Sequence, residues 1–110
     1  MEKELNISTL IEEGSSFDGR LTFSGTAKIA GQFTGEIYTK DNLIITETAQ
    51  VKAEIEAGHV TILGNLEGNI IASKKVIMMP PATFRGTVTT PSLKIEEGVV
   101  FEGASYVPKT

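Results

Sequence analysis

The sequence predicts an all-β fold, in which a single domain winds into a parallel β-helix, or solenoid, of about six rungs. Three observations predict it: a five-residue pattern that recurs six times, a shorter alternating pattern between the recurrences, and a glycine or alanine at the same place in each recurrence. Self-similarity at a short fixed period is typical of solenoids, because one such unit cannot bury its own apolar face.

The five-residue unit has an apolar residue first, a small residue third and usually an apolar residue fifth. The six copies read FDGRL, FTGEI, VKAEI, LEGNI, FRGTV and FEGAS, and they begin at Phe17, Phe33, Val51, Leu66, Phe84 and Phe101. The interval between successive copies is short and nearly constant along the chain. Alternate side chains of a strand point to opposite faces, so the pattern predicts one strand per unit with its apolar residues in the core.

A second alternating pattern lies between the units and predicts a second strand in each rung. Its apolar pairs are Ala27-x-Ile29, Leu43-x-Ile45, Val60-x-Ile62, Val76-x-Met78 and Leu93-x-Ile95, and they are preceded by Thr9-x-Ile11. In four rungs the link to the next unit is two residues longer, and sequences such as EEGSS and MPPAT there are typical of turns. No α-helix is expected, because the recurring glycines would each cost about 1 kcal/mol inside a helix.

Composition limits the classes of partner and compartment. A chain of 110 residues that is 40% hydrophobic is long enough for one domain. Its net charge is −4 and its lysines and arginines form no cluster in the sequence, so we expect no basic stripe and no nucleic-acid partner. Cysteine is absent, and no apolar leader or stretch of 18 apolar residues occurs. We expect a cytoplasmic protein.

The residues that carry catalytic or metal chemistry are sparse and scattered. His59 is the only histidine, which argues against a zinc site and for a surface or turn position. Asp18 and Asp41 are the only aspartates and fall in different rungs, and no phosphate-binding glycine loop occurs. We therefore expect no catalytic, cofactor-binding or metal-binding residues, and a protein that is not an enzyme.

The ends of the solenoid are the sharper functional feature. A stacked coil exposes unpaired backbone groups on its first and last rungs, and neither MEKELNIS nor YVPKT resembles a capping helix. We predict that the ends stack on one another. The predicted polymerisation interface consists of Ile11, Phe17, Leu21, Phe101, Gly103 and Tyr106. Outward apolar residues form a second candidate surface, for lateral bundling or a client protein: Ile44, Ile71, Ile77, Val99 and Val100.

With these motifs in place, the chain resembles the bactofilins, a family of bacterial cytoskeletal proteins. The resemblance covers residues 9–105 and rests on IEEGSSFDGRL, IAGQFTGEI, ILGNLEGNI, MPPATFRGTV and IEEGVVFEGA. It implies a right-handed, three-sided β-helix that assembles end to end into filaments without nucleotide. It also implies a scaffold that supports cell shape or localises cell-wall enzymes or polarity factors.

The same resemblance divides the chain and sets its expected location. Residues 1–8 and 106–110 would be short tails on either side of the β-helix. Many bactofilins begin with an apolar and basic membrane-targeting segment, whereas this sequence begins MEKELN. Direct membrane binding is therefore not expected, and the inner face of the membrane would be reached through partners.

Two other classes of protein are compatible with a β-solenoid. The first alternative is a left-handed β-helix trimer of the hexapeptide type, either an acyltransferase or a carbonic-anhydrase-like enzyme. The second is a capped monomeric binding module. A sizing column separates the three hypotheses, because a polymer elutes in the void volume whereas the alternatives elute as a trimer or a monomer.

Overall fold

A computed structural model of the chain describes residues 4–108, with side chains from residue 11 onward. Every regular element in this range is a strand, and ten strands form one continuous parallel sheet. In chain order they are β1 (Glu4–Ile11), β2 (Ser16–Thr22), β3 (Ser24–Ile29), β4 (Gln32–Tyr38), β5 (Asn42–Ile45), β6 (Gln50–Ile62), β7 (Asn65–Met78), β8 (Thr83–Thr89), β9 (Leu93–Ile95) and β10 (Val100–Tyr106). The predicted all-β solenoid is confirmed.

The strands form two stacks that run side by side along the solenoid. The first stack contains the five-residue units, in the order β2, β4, the first half of β6, the first half of β7, β8 and β10. The second stack contains β1, β3, β5, the second halves of β6 and β7, and β9. Each stack has six strand positions, as the sequence predicts, but the chain completes about 5 turns between the first and the last.

The core is built from columns of equivalent residues, one from each rung. Phe33 and Phe84 are almost fully buried, and each stacks on the phenylalanine of the adjacent terminal rung. The other inward columns consist of aliphatic side chains in register with one another: Ile37, Ile55, Ile70 and Val88; Ile29, Ile45, Ile62 and Met78; and Ala27, Leu43, Val60 and Val76. Burial of each large member contributes about 1.5–3 kcal/mol.

The first strand departs from the predicted pattern. In β1 the Cα partner of Ala27 is Ser8, and Thr9 lies opposite Lys28, while Ile11 lies opposite Ile29. The predicted pairing of Thr9 with the Ala27 column is therefore wrong, because a register shift between Thr9 and Ile11 inserts one residue. The strand also begins at Glu4, within the segment that the sequence assigns to the N-terminal tail. Residues 1–3 and 109–110 of the predicted tails lie outside the described residues.

Four turns lead from second-stack strands into first-stack strands. Each is closed by a backbone hydrogen bond of 2.9–3.3 Å between residues three apart, and the turns are Glu12–Ser15, Thr46–Ala49, Met79–Ala82 and Glu96–Val99. The closing residues Ala49 and Ala82 are buried, and Val99 packs against the core in the same position. The predicted outward orientation of Val99 is wrong, because the turn places its side chain on the inner side.

Candidate functional site

The C-terminal end of the solenoid is an open apolar platform. Within residues 4–108, β10 pairs with β8 on one edge and with no strand on the other. Phe101 is half-buried and stacks on Phe84 with the ring centroids 5.3 Å apart. Ile95 is 41% exposed and Val107 is 73% exposed, although the inner-rung equivalents of Ile95 are buried. The platform therefore exposes a surface that one further rung would cover.

The N-terminal end exposes some of its apolar side chains and buries others. Phe17 is 40% exposed and stacks on Phe33 at 5.4 Å, and Leu21 beside it is half-buried. In contrast, Ile11 is only 4% exposed and Phe23 only 7%. At this end β1 is the terminal strand of the second stack, and Ile11 is its partner in register with Ile29. Ile11, which the sequence places at the interface, thus offers little surface to a partner.

The glycine column has different surroundings at the two ends of the solenoid. A side-chain carbon added to Gly103 would lie 1.8 Å from the carbonyl oxygen of Gly86 in the rung before it. Gly19 occupies the same position in the first rung with φ +145°, but there the nearest atom would be a carbon of Phe17, at 3.5 Å. The space next to Gly19 is therefore open, and unpaired strand edges of this kind accept another strand.

Several predicted surface residues lie on the outer sides of the solenoid, and two of these are in the terminal strand β10. Tyr106 is 56% exposed and continues an outer column that contains Thr89 and Ile71. Val100, at the start of β10, is also exposed. Ile44 and Ile77 are half-buried on the outer side of the second stack. The structure therefore does not bring the five predicted lateral residues into one patch.

Charged residues on the outer side of the first stack lie in one column, as their sequence spacing requires. The column runs from Asp18 through Thr34, Lys52, Glu67 and Arg85 to Glu102. Of these, the Arg85 and Glu102 side chains are close enough for an ion pair, at 3.2 Å, and both are largely exposed. Pairs of this kind contribute at most about 1 kcal/mol, so the column is a solvated surface.

A small polar cluster stabilises the outer side of the first two rungs. The Arg20 guanidinium lies 3.1 Å from Glu36 and 5.6 Å from the centre of the Tyr38 ring. The Tyr38 hydroxyl donates a hydrogen bond of 3.0 Å to the same Glu36 carboxylate. This hydrogen bond, together with the negative charge of Glu36, raises the pKa of Tyr38. The cluster ties adjacent rungs together, because Arg20 and Glu36 are partners in register.

Sequence reasoning missed a concentration of positive charge on the second stack. Five lysines lie on the outer side of this stack and at the corner that leads into it, and we call them the lysine face: Lys28, Lys40, Lys74, Lys75 and Lys94. Apart from the adjacent Lys74 and Lys75, these lysines are far apart in sequence, but the register between successive rungs brings them onto one side. The sequence-based expectation of no basic stripe does not hold for this side.

The neighbouring corner has the opposite charge. Five glutamates occupy three of the four turns that end second-stack strands, the turn Met79–Ala82 having none, and we call them the acidic ridge: Glu12, Glu13, Glu47, Glu96 and Glu97. Apart from Glu96, which is half-buried, these side chains are exposed. The solenoid is therefore polarised across its width, with the two charged strips running in the same direction as the stack of rungs.

Residues suited to metal binding are not grouped in the described part of the chain. His59 lies exposed in β6 with Lys75 as its partner in register. Among the described residues, no group of three or more His, Cys, Asp or Glu side chains is placed to hold a metal ion. Residues 4–108 also contain no helix with the length and apolar character that a membrane span requires.

Comparison with known proteins decides the family. A family model described as Bactofilin, polymer-forming cytoskeletal, matches residues 9–106. The chain belongs to the bactofilin family. The sequence-based prediction of a polymer-forming cytoskeletal protein is confirmed at this level, and no comparison favours the acyltransferase or carbonic-anhydrase-like alternative.

Two curated bactofilins from Myxococcus xanthus strain DK1622 are similar to this chain. Bactofilin BacO is 31% identical over 99 residues, which cover 90% of this chain and 79% of BacO. Bactofilin BacP is 27% identical over 106 residues, which cover 92% of this chain but 44% of BacP. BacP is thus more than twice as long as the segment that it shares with this bactofilin.

Two solved bactofilin structures have the same fold. The cytoskeletal bactofilin BacA, determined by solid-state NMR, has a TM-score of 0.83 and 25% identity, with 94% of this chain and 98% of that chain covered. The Thermus thermophilus bactofilin, reconstructed by cryo-EM as double helical filaments, has a TM-score of 0.81 and 28% identity, with 90% and 100% covered. The handedness implied by the resemblance stays a prediction.

Proposed function

We propose that this bactofilin is a non-enzymatic cytoskeletal scaffold whose chains stack end to end into filaments. The observation that carries the proposal is the state of the two ends, where β2 and β10 have open edges within the described chain and Phe17 and Phe101 are partly exposed. Each terminal rung has an adjacent rung on one side only, whereas every inner rung has one on both sides. A second copy supplies the missing neighbour through strand addition.

The contact at the ends provides its own driving force. Complete burial of an aromatic side chain contributes roughly 1.5–3 kcal/mol, and the C-terminal platform adds Leu93, Ile95 and Val99 to Phe101. The edge amides and carbonyls of β10 gain backbone partners at the same time. Assembly therefore requires no nucleotide, and the sequence contains no phosphate-binding loop that would hold one.

Membership of the bactofilin family supports a proposal for the place of the filament in the cell. We propose a cytoplasmic filament that supports cell shape or holds cell-wall enzymes or polarity proteins, and that reaches the inner face of the membrane through those partners. The outer sides of the solenoid repeat along a filament, so a client that binds one subunit weakly gains affinity by binding several.

Electron microscopy of the purified chain tests the proposal. In buffer stripped of nucleotide and divalent ions we expect filaments in negative stain and elution in the void volume of a sizing column. A discrete trimer would instead favour the β-helical enzyme, and a monomer at every concentration would favour the binding module. Filaments that form only with ATP, GTP or a divalent ion would overturn the proposed mechanism of assembly.

A further inference from the structure

We propose that the lysine face and the acidic ridge form a lateral contact between two copies of this chain that lie in neighbouring filaments. The inference rests on the proposed function, because the contact is assigned to filaments rather than to free subunits. It names the surface and the geometry of the contact, neither of which follows from the stacking of the ends.

The lysine face is a continuous surface with an apolar middle. Along its outer column, Lys28 lies beside Ile44, Ile44 beside Thr61, Thr61 beside Ile77, and Ile77 beside Lys94. Both isoleucines remain half-exposed between the charged residues. Two isoleucines and a threonine bordered by charge are suited to a protein surface that covers the apolar part and pairs the charges.

The charges of both strips are available to pair with another molecule. The two ion pairs in the described part of the chain, Arg20–Glu36 and Arg85–Glu102, use no residue of the lysine face or the acidic ridge. The aspartate near the lysine face, Asp41, accepts a hydrogen bond of 2.8 Å from the backbone amide of Gly25. Asp41 keeps its negative charge, so the lysine face carries an excess of positive charge rather than positive charge alone, whereas the acidic ridge consists of glutamates.

The order of the strips across the second stack determines how two copies can meet. On the rung of β5, Lys40 lies at the corner before the strand, Ile44 within it and Glu47 in the turn after it. Consider two copies that face each other across a two-fold axis parallel to the solenoid axis. The rotation reverses the order of the strips in the second copy. The acidic ridge of each copy therefore lies against the lysine corner of the other. A perpendicular two-fold axis in the plane of the contact would place like charges together, which is unfavourable.

The surface is too small to hold isolated subunits together. The second-stack strands are short, with 4 residues in β5 and 3 in β9, and only alternate residues point outward. This leaves about ten outward side chains on the whole side, against roughly 20–30 per partner in an ordinary stable interface. A filament repeats the surface in every subunit, and the linked contacts then act together. Lateral pairing should therefore appear only after filaments have formed.

A membrane fits this surface less well than a second copy does. An anionic lipid surface attracts lysines by about 1 kcal/mol each. However, the acidic ridge borders the same side, and Glu47 follows β5 directly, so its carboxylates would approach the lipid headgroups together with the lysines. A second copy uses both strips, whereas a membrane uses one and is repelled by the other.

Charge exchange on the β5 rung tests the inference, because Lys40 and Glu47 lie on one rung and away from both ends. We expect wild-type filaments to be paired at low salt and to separate as salt shortens the screening length to about 10 Å at 0.1 M. Lys40→Glu and Glu47→Lys should each give single filaments of about half the paired width, at unchanged subunit stacking. The double variant Lys40→Glu/Glu47→Lys should restore pairing. Lys52→Glu, which makes the same charge change on the first stack, is the control and should leave pairing intact.

The outcomes separate this inference from the proposed function. Wild-type filaments that are single at low salt would overturn the lateral contact while leaving the end-to-end filament in place, as would a double variant that stays unpaired. A third outcome would assign the lysine face to the membrane instead. In that outcome wild-type filaments are unpaired and co-sediment with vesicles of phosphatidylserine, and Lys40→Glu abolishes the co-sedimentation. An absence of wild-type filaments would overturn the proposed function and the contact with it.

Discussion

At the scale of single residues, Gly68 is fixed by the carbonyl group of the rung before it. Gly68 has φ +138°, and a side-chain carbon there would lie 2.0 Å from the backbone oxygen of Ala53. The backbone strain of a non-glycine residue in such a conformation costs about 1–3 kcal/mol. We expect Gly68→Ala to lower the free energy of unfolding by more than this, because the collision adds to the strain.

Gly14→Ala is the matched control for that variant. Gly14 also has a positive φ, +88°, but a side-chain carbon there would have no atom within 4 Å. Chemical denaturation at one fixed protein concentration measures both variants, since assembly also shifts apparent stability. If Gly68→Ala and Gly14→Ala lowered the free energy of unfolding equally, the packing between rungs at Gly68 would be looser than the structure shows.

Tyr38 provides a residue-scale prediction about pH. Its pKa is raised from the ordinary value of 10.0, first by the hydrogen bond to Glu36, while the charge of Arg20 acts in the opposite direction. A raised pKa favours the neutral hydroxyl in the folded state, so its contribution to stability is present below the ordinary pKa and is lost as pH rises through the raised value. We expect Glu36→Gln to lower the pKa of Tyr38.

Ultraviolet titration of tyrosinate measures this change. The chain has 2 tyrosines, so a Tyr106→Phe background leaves Tyr38 as the single reporter. A titration curve that Glu36→Gln does not move would mean that the hydroxyl donates elsewhere in solution.

At the scale of elements, β10 and β8 carry equivalent phenylalanines with different environments. Phe84 is fully buried, whereas Phe101 has Phe84 on one side and no further rung of the described chain on the other. We expect Phe101→Arg to fold into a soluble, β-rich monomer or dimer, because the arginine can turn toward water and blocks the joint. Phe84→Arg should misfold, since an unpaired charge cannot be accommodated in the core.

Circular dichroism and a sizing column check both variants. The oligomer that Phe101→Arg forms also reports which ends meet in a filament. If the C-terminal end of one subunit meets the N-terminal end of the next, every joint is lost and monomers remain. If like ends meet, the intact joint between two N-terminal ends leaves dimers. Filaments of normal length from Phe101→Arg would show that the joint lies elsewhere.

The elements themselves could be predicted from the sequence, whereas several surfaces could not. The alternation of apolar and polar residues, which depends only on neighbouring positions, was enough to identify the strand at Phe84. The nearly constant interval between units identified the equivalent strands in the other rungs. The lysine face depends on the exact step from each rung to the next, and that step varies with the length of the turn between them. The burial of Ile11 could not be predicted either, because the sequence pattern places it on the terminal rung, where inward side chains were expected to be open on one side.

At the scale of the whole molecule, stability should fall from the middle of the solenoid toward its ends. The pairing of β6 with β7 is the longest, with partners from Gln50 and Asn65 to Ile62 and Met78. In stacked repeats each rung is stabilised by its neighbours, so a rung with one neighbour opens more easily. We expect amide hydrogen exchange to be slowest in β6 and β7 and fastest in β2 and β10.

Assembly should change this profile at the ends alone. When unassembled Phe101→Arg is compared with wild-type filaments, exchange should slow in β10 and remain similar in β6 and β7. Uniform slowing along the chain would indicate that assembly stabilises the fold as a whole rather than completing the terminal rungs.

The parallel stacking of rungs also has a mechanical consequence for a filament. The backbone hydrogen bonds that join β2, β4, β6, β7, β8 and β10 run along the solenoid axis, so tension on a filament acts directly on them. Inside a subunit the covalent chain also crosses from each rung to the next and bears part of the load, whereas no covalent bond crosses a joint. A stretched filament should therefore break between subunits and leave folded fragments whose ends can join again.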